Sequence, residues 1–281
     1  MLVILPPVDG AGASRTTVVI PVWGRYVGIR FAQALESVAS QDLQAPIVVV
    51  DNASEVPLPP LGRARVLRTA TRLTLGRARN LGLDQVQTPN VVFWDADDLM
   101  PPGTLSFMQE SLESDSRLVA FGMALAEDPG GKRHRWPRRW VARLVRYPRA
   151  LAILNSVWSV FPANGPVIMR TDTVRACGGF GSAATGDDCV LGAALLFRGR
   201  VGWSERTGCL YLLHEGSNRD ENSSVRTLLM NARHVRVRLR SGPGTPAWVR
   251  RIVPLIASAQ WAAVAGHLAV AALRRLKSRA A

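Results

Sequence analysis

Short apolar segments that alternate with helix-like segments place the strongest constraint on how this chain can fold. Residues 16–22, 46–54 and 90–94 are rich in β-branched and apolar side chains, which is typical of buried strands. Between these strands, residues 25–40 carry apolar side chains at helical spacing, and residues 75–86 favour a helix despite their glycines. Strands that alternate with helices predict βαβ units, so we expect an α/β fold with a mostly parallel central sheet flanked by helices.

The remainder of the chain continues this alternation. Further strands are predicted at residues 64–69, 117–125, 165–170 and 209–217. Further helices are predicted at residues 103–114 and 186–199, and from residue 224 onward with a break near 241–246. Residues 252–273 are apolar and long enough to span a bilayer, but Pro254, Gln260 and His267 interrupt them. We therefore expect a helix that packs on the core or lies on a surface rather than a membrane span.

Acidic residues directly follow two of the predicted strands. Asp51 ends one strand, and Asp95, Asp97 and Asp98 lie within four positions after another. Carboxylates this close repel one another unless the turn is solvated or a cation lies between them. Ligands of open α/β sheets bind beyond the carboxyl ends of the strands. A solvated turn would explain acids after one strand, but not acids after two strands at the same edge. This edge is therefore predicted to bind a ligand.

Charge and cysteine content narrow the partners and the compartment. The 281 residues carry a formal net charge of +14, which attracts phosphate-bearing partners such as nucleic acid, anionic lipid headgroups or nucleotides. The three cysteines, Cys177, Cys189 and Cys209, form no C-x-x-C spacing, which disfavours a disulfide framework or zinc knuckle and favours a reducing compartment. No basic region precedes the short apolar stretch after Met1, so we predict no signal peptide and a cytoplasmic location.

Five stretches of sequence, in order along the chain, resemble one enzyme family. They are VVIPVWGR, VVVDNAS, GRARNLGL, VVFWDADDLMPPG and GPVIMRTDTVRACGGFGSAATGDD. Together they resemble a family-2 glycosyltransferase of the GT-A fold, the fold of nucleotide-diphospho-sugar transferases, over residues 16–215. Each stretch alone is a weak signal, whereas five in order are specific for the family but not for the sugar. The resemblance implies transfer of a sugar from a nucleoside diphosphate sugar to a hydroxyl acceptor.

The D-x-D-like motif Asp95-Ala96-Asp97 implies a metal ion by this resemblance. Asp97 would ligate Mn²⁺ or Mg²⁺, and Asp95 would contact the ribose or the metal shell. Such hard cations take oxygen ligands and neutralise the diphosphate leaving group. His214 is implied as a further metal ligand, with a histidine satisfied by a neighbour as the alternative. For Asp98 we expect a cap on the following helix.

The resemblance also implies a set of contacts to the donor nucleotide. These are Pro21, Val22, Asp51, Arg79 and Asp95. Asp51 would bond the base, although an Asx-turn with Asn52 and Ser54 also explains an acid at a strand end. Arg79 would face the nucleotide, with a solvated helix arginine as the alternative, and Asn80 is expected to make structural hydrogen bonds.

An acidic pair near the start of a predicted helix supplies the implied catalytic residues, Asp187 and Asp188. Transfer to a hydroxyl needs a general base within hydrogen-bond reach, and the resemblance assigns that role to Asp188. The structural alternative is charge compensation at the helix N-terminus. No Q-x-x-R-W follows the pair, which favours transfer of a single sugar over processive synthesis. The implied mechanism is inverting, with one in-line attack on the anomeric carbon.

A basic and aromatic segment, residues 132–149, contains eight Lys or Arg residues with Trp and Tyr between them. Cations attract anionic headgroups, and Trp and Tyr settle at the lipid–water boundary. We hypothesise that this segment docks the enzyme as a peripheral protein on the inner face of a membrane and admits a lipid-linked or amphiphilic acceptor. A solvated basic loop is the alternative.

Three rival functions fit these residues less well. Nucleic-acid binding suits the basic residues at 132–149 and 233–240, but no known nucleic-acid module is visible and the clustered acids repel phosphates in the absence of metal. A nucleotidyltransferase gives no reason for the late acidic pair or for the CGGFG turn before it. A degenerate transferase that only binds a partner is disfavoured because Asp97 and Asp188 are intact.

The predicted organisation is a GT-A domain at residues 1–220 and a basic helical C-terminal extension at residues 221–281. The domain would comprise a nucleotide-binding half at residues 16–125 and an acceptor-binding half at residues 126–220. The expected partners are a nucleoside diphosphate sugar, a hydroxyl acceptor that is a glycan, a glycolipid or a small molecule, and an anionic membrane surface.

Overall fold

A computed structural model describes residues 14–161, 163–211 and 224–279, including all their side chains except those of Arg25 and residues 270–279. The strands are β1 (Thr16–Val22), β2 (Ile47–Asp51), β3 (Arg65–Arg68), β4 (Asn90–Phe93), β5 (Asp98–Leu99), β6 (Leu118–Glu127), β7 (Arg133–Arg135), β8 (Val167–Arg170) and β9 (Arg200–Tyr211). The helices are α1 (Ile29–Ala39), α2 (Leu75–Leu83), α3 (Thr104–Glu113), α4 (Arg139–Arg143), α5 (Pro148–Val157), α6 (Thr171–Ala176), α7 (Asp187–Leu196), α8 (Val225–Ser241) and α9 (Ala247–Arg279). The predicted α/β class is confirmed.

One mixed sheet joins all nine of these strands. Its order is β3-β2-β1-β4-β8-β6-β9-β5, and β7 pairs with the end of β6. The first four strands are mutually parallel, as the βαβ pattern predicts. The second half is mixed, because β8 lies antiparallel to both β4 and β6, whereas β6 and β9 are parallel. The all-parallel half, β1 to β4, therefore delivers four strand ends to one edge.

Apolar residues cover both faces of the sheet. On one face, Val18 and Ile20 of β1 pack in a cluster with Phe31 of α1. On the other face, Val19 packs with Ala78 of α2. All seven residues of β1 are buried, which explains why this strand reads as a continuous apolar run rather than an alternating one.

The predicted boundaries match the structure best in the parallel half. β1 coincides with the prediction, and α1, α2, β4 and α3 differ from it by a few residues at their ends. β9 begins at Arg200, nine residues before the predicted strand, because its first residues pair along β6. The predicted cap by Asp98 is wrong. Asp98 lies in β5, paired with Tyr211, and Gly103 occupies the N-cap of α3.

The two C-terminal helices pack against the helix that carries the acidic pair. Val190 of α7 shares a cluster with Val235 of α8 and with Val249 and Val253 of α9. Within the described residues one segment, Ala247–Ala269, is long and apolar enough to cross a membrane by length and composition, with a mean hydropathy of 1.4. One face of this segment packs on the protein, and Gln260 donates from that face to the Ser156 carbonyl at 2.7 Å.

Candidate active site

The ends of β1 and β2, which carry the first of the predicted donor contacts, lie side by side at one edge of the sheet. The two strands pair in register so that Pro21 lies beside Val50 and Val22 beside Asp51. The chain then turns, and the Asn52 amide donates to the Val22 carbonyl at 2.9 Å. This bond holds the two strand ends together, so the backbone of Pro21 and Val22 lies next to the Asp51 side chain.

Asp51 is only 1% exposed, and both of its carboxylate oxygens accept hydrogen bonds. The Ser54 amide donates to Oδ1 at 2.9 Å, which is the Asx-turn anticipated from the sequence. Arg68, its partner across β2 and β3, donates to Oδ2 at 2.6 Å. Ala53 has a φ of 54°, so the turn holds a non-glycine residue in the left-handed region. Arg68 is a contact that the sequence analysis did not single out.

Arg79 occupies the centre of the site, and it is 2% exposed. It donates from Nη2 to Asp95 Oδ1 and from Nη1 to Asp187 Oδ2, each at 2.8 Å. Burial disfavours the charged guanidinium, but the carboxylates of Asp187 and Asp95 outweigh burial and raise the pKa of Arg79. The guanidinium also lies 5.1 Å from the ring centroid of Phe180. Arg79 thus joins the acid after β4 to the acid that starts α7.

The second oxygen of Asp95 is held by a residue from another part of the chain. Asn164, in the loop before β8, donates to Asp95 Oδ2 at 3.0 Å. Burial raises the pKa of Asp95, Arg79 opposes that rise, and the charge of Asp97 adds to it. Asn164 was missed by the sequence analysis because it lies 69 residues from Asp95 and no local pattern connects the two.

A tryptophan shapes the turn that carries Asp95 and Asp97. Trp94 is fully buried, and its indole Nε1 donates to the Asp98 carbonyl oxygen at 2.8 Å. This bond closes the turn that follows β4. Asp97 lies within the turn and is partly exposed.

Close backbone contact brings α2 to the start of α7. A Cβ atom on Gly76 would lie 1.9 Å from the Gly181 carbonyl oxygen and 2.7 Å from the Asp187 Cβ. Only glycine fits there, and the contact sets the distance that Arg79 spans to Asp187. Nearby, Asn80 accepts from the Phe180 amide at 2.8 Å and donates to its carbonyl at 3.2 Å, which confirms the predicted structural role of Asn80.

Asp187 and Asp188 lie in the first turn of α7, as predicted, but their surroundings differ. Asp187 is buried against Arg79, whereas Asp188 lines a cavity beside the helix. Burial raises the pKa of Asp188, the neighbouring Asp187 raises it further, and Arg79 opposes the rise. A carboxylate with a raised pKa is a stronger base than an ordinary aspartate.

The metal ligands predicted from the sequence are only partly within the described residues. His214 lies outside them. In the described parts of the chain, no group of three or more His, Cys, Asp or Glu residues is placed to hold a metal ion. Asp95 and Asp97 are nevertheless close enough for the charge on one to raise the pKa of the other. A divalent cation would relieve this repulsion, and carboxylate oxygens are the ligands that Mg²⁺ and Mn²⁺ prefer.

One comparison with known proteins shows the family of this chain, and another shows its fold. The profile of Glycosyl transferase family 2 matches residues 17–171, more than half of the chain. No curated protein sequence matched significantly. Among solved structures, S. aureus TarS 1-349 in complex with UDP-GlcNAc is 15% identical with a TM-score of 0.62, covering 88% of this chain and 72% of that chain.

Two other TarS structures are also similar. S. aureus TarS 1-349 in complex with UDP is 15% identical with a TM-score of 0.59, covering 88% of this chain and 70% of that chain. A further S. aureus TarS structure is 14% identical with a TM-score of 0.57, covering 85% of this chain and 42% of that chain. At this identity the likeness shows a shared fold.

Proposed function

The chain belongs to glycosyltransferase family 2, and from this premise we propose that it transfers a single hexosyl or deoxyhexosyl unit from a nucleoside diphosphate sugar to a hydroxyl acceptor, with inversion at the anomeric carbon. The observation that carries the proposal is the pair of salt bridges from Arg79 to Asp95 and Asp187. Because of these bonds, the acids of the donor edge and the acids of α7 belong to one site.

The donor nucleotide binds at the ends of β1 and β2. The backbone of Pro21 and Val22 lies against the base, and Asp51 accepts a hydrogen bond from it. Asp51 has capacity for this contact, because each carboxylate oxygen has two acceptor sites and each already uses one. The TarS structures with UDP-GlcNAc and UDP support a nucleoside diphosphate donor for a chain of this fold.

Asp97 and Asp95 are the residues that would hold Mn²⁺ or Mg²⁺, with His214 as a third protein ligand. When bound, the ion would neutralise charge on the departing diphosphate. Asp95 also contacts the ribose, and its orientation is fixed by Arg79 and Asn164.

Asp188 is the general base. The acceptor oxygen attacks the anomeric carbon, the bond from that carbon to the diphosphate oxygen breaks, and the acceptor proton passes to an oxygen of Asp188. The raised pKa of Asp188 favours this proton transfer. Arg79 is a positioning residue, since both of its outer nitrogens are bonded to acids and it acts on the donor through Asp95.

The basic segment at residues 132–149 places the enzyme on an anionic membrane surface. Trp140 and Tyr147 are exposed in this segment, at α4 and just before α5. Exposed aromatic rings beside arginines are suited to the lipid–water boundary. A peripheral position on the inner face of a membrane would bring the enzyme to lipid-linked or amphiphilic acceptors.

A thermal-shift screen of nucleoside diphosphates with and without Mn²⁺ tests the donor assignment. One nucleotide is expected to stabilise the protein in a metal-dependent way, by about 2.7 kcal/mol at a hundredfold excess over its Kd. Asp97→Ala should remove the metal-dependent part of this stabilisation, whereas Asp172→Ala, an exposed acid on α6, should leave it intact. If no nucleotide stabilises the wild-type protein with metal, the proposal is wrong.

Sedimentation with liposomes tests the membrane assignment separately. Anionic vesicles should retain the protein at low salt and release it as salt is raised, since screening weakens the attraction. Trp140→Ala should weaken retention of the protein by the vesicles. Trp94→Phe is not a suitable control, because Trp94 is buried. The control is Val66→Ala, at an exposed position on the edge strand β3. Equal sedimentation with neutral and anionic vesicles would contradict the assignment.

A further inference from the structure

A cavity of about 400 Å³ lies beside Asp188, which is one of its lining residues. We call it the helical cavity. It is bordered by the C-terminal part of α5, the start of α7, and the two C-terminal helices, α8 and α9, and it is open on one side. Its lining includes Trp136, Trp158, Leu228, Val235, Ala263 and Val264.

The helical cavity, at about 400 Å³, has the size of a small-molecule pocket. Protein interiors pack densely and leave few voids larger than a water molecule. Pockets for small molecules typically have volumes of about 300–1,000 Å³ and mostly apolar walls. The helices that enclose the cavity are otherwise well packed, since Val190, Val235 and Val253 form a buried cluster directly beside it.

The wall combines apolar side chains with one reactive carboxylate. Leu228 and Val235 of α8 and Ala263 and Val264 of α9 present apolar surface, and Asp188 is the acid among the lining residues. A ligand with a hydroxyl group and an apolar body would satisfy both, because its hydroxyl can meet the carboxylate while its body leaves water.

Two amide side chains in the wall, those of Gln260 and Asn231, are bonded within the protein, whereas the buried Nδ2 of Asn155 has no hydrogen-bond partner among the described residues. Gln260 donates to the Ser156 carbonyl at 2.7 Å and accepts from Arg236 at 2.5 Å. Asn231 accepts from the Thr185 hydroxyl at 3.3 Å. A strongly hydrated acceptor such as a free oligosaccharide would need several unbonded groups to replace its bonds to water. A single unpartnered amide donor, Asn155 Nδ2, better suits an acceptor with few polar groups and an apolar body.

Aromatic side chains at the wall are partly open to solvent. Trp136 is 44% exposed and Trp158 is 48% exposed, although both line the cavity. Indole rings provide apolar contact area and tolerate a wet boundary on one side. They are therefore suited to the entrance of a cavity that receives an amphiphile from water or from a lipid surface.

We propose that the helical cavity is the acceptor subsite and that it takes an amphiphilic acceptor, whose apolar tail lies between α8 and α9 and whose hydroxyl lies at Asp188. The inference rests on the proposed function, because it takes Asp188 as the base. It assigns to the C-terminal helices a part in acceptor specificity, which the residues of the donor edge do not provide.

Titration calorimetry with methyl, hexyl and octyl β-glucosides tests this subsite. Each glucoside is kept below its micelle concentration and is added to the full chain with a bound nucleoside diphosphate and Mn²⁺. Affinity should rise about fourfold for each CH₂ group that becomes buried, from about 0.8 kcal/mol per group. Octyl glucoside is therefore expected to bind at least 100-fold more tightly than methyl glucoside. Equal affinities across the series would overturn the inference.

Filling the cavity should remove this dependence on chain length. Ala263→Phe places a ring in the cavity from α9, and Ala232→Phe does so from α8. Each should bring the affinity for octyl glucoside close to that for methyl glucoside. Ala262→Phe is the matched control, since Ala262 is exposed and does not line the cavity. Equal losses at 262 and 263 would contradict the assignment, and if neither filled variant folds, the wild-type series decides.

The nucleotide-dependent thermal shift separates this inference from the proposed function. If the shift is retained while affinity does not depend on chain length, only the acceptor subsite is wrong. If the wild-type protein gives no metal-dependent nucleotide shift, the proposed function itself fails.

To determine the source of the amphiphile, octyl glucoside in solution is compared with an alkyl glucoside of longer chain held in neutral vesicles. Saturable binding from either source supports the subsite.

Discussion

The donor side and the acceptor side of the site hold their carboxylates in different ways. On the donor side, both oxygens of Asp51 and both oxygens of Asp95 accept hydrogen bonds from the protein. On the acceptor side, Asp188 lies at the wall of an apolar cavity, and burial raises its pKa. On the donor edge the carboxylates are thus held by bonds to the protein, whereas on the acceptor side Asp188 is partly exposed at the wall of a cavity.

This difference matches the different demands of the two substrates. Charged donors are bound best by groups that are already oriented, since no reorganisation is then needed during reaction. An acceptor hydroxyl must lose a proton, and a carboxylate in apolar surroundings is the better base for that step. Arg79 connects the two sides, because its guanidinium bonds to both Asp95 and Asp187.

Removal of the base is expected to give the largest effect and to separate the two sides cleanly. Asp188→Asn should lower turnover by at least about 100-fold, because an amide cannot accept the acceptor proton. The nucleotide-dependent thermal shift should remain, since the donor edge is unchanged. Sugar transfer is measured with a radiolabelled donor, and Asp172→Asn on α6 is the control. Near-normal turnover by Asp188→Asn would mean that the base is another group.

Loss of the connecting arginine should destabilise both sides together. Arg79→Met keeps much of the side-chain length but leaves Asp95 and Asp187 without their shared partner, which should cost about 3 kcal/mol in the free energy of unfolding. Arg77→Met is the matched control, because Arg77 is exposed on the same helix. Urea unfolding measures both. Similar changes for the two variants would mean that the buried ion pairs contribute little to the fold.

A substitution that forces α2 away from α7 should cause a smaller loss of stability than Arg79→Met. Gly76→Ala forces a methyl group against the Gly181 carbonyl and Asp187, which should cost about 1–3 kcal/mol in the free energy of unfolding. Gly266→Ala on α9 has no heavy atom within 4 Å of the new Cβ and should instead stabilise by up to about 1 kcal/mol. Thermal unfolding should therefore show a lower stability for Gly76→Ala and a higher stability for Gly266→Ala. A stabilising Gly76→Ala would contradict the close contact.

The pH dependence of transfer should show the smallest effect. Asp188 must be ionised to accept a proton, so the rate should fall as pH falls through its raised pKa. Asp187 is one cause of that rise, after burial, and its charge is lost in Asp187→Asn. The acid limb of kcat/KM should therefore move to lower pH in this variant. Asp172→Asn should leave the limb unchanged, and a limb that moves to higher pH would contradict the assignment.

The donor edge could be predicted from local sequence to a large degree. β1 and β4 were recognisable as short apolar runs, and Asp51 and Asp95 follow such runs directly. Parallel strands bring their carboxyl ends to one edge, so strand prediction alone also placed these acids near each other. The short-range Asx-turn at Asp51 followed from the same local pattern.

The second half of the sheet was less predictable. β8 runs antiparallel between β4 and β6, and the first residues of β9 pair along β6. Residues at the start of β9, such as Arg200 and Ser204, do not have strongly apolar side chains. Their strand conformation depends on a neighbouring strand about 80 residues earlier in the chain, which a local pattern does not contain.

The sequence by itself determined which acids the site contains and which elements carry them, because strand and helix patterns are local and the ends of parallel strands meet. Only the tertiary structure decided which partner each acid receives. Arg79 and Asp187 are 108 positions apart, and Asn164 reaches Asp95 across 69 positions. The apolar wall beside Asp188 comes from α8 and α9, later still in the chain. Such contacts depend on how whole elements pack, so burial, pKa and the shape of the acceptor side are properties of the assembled fold.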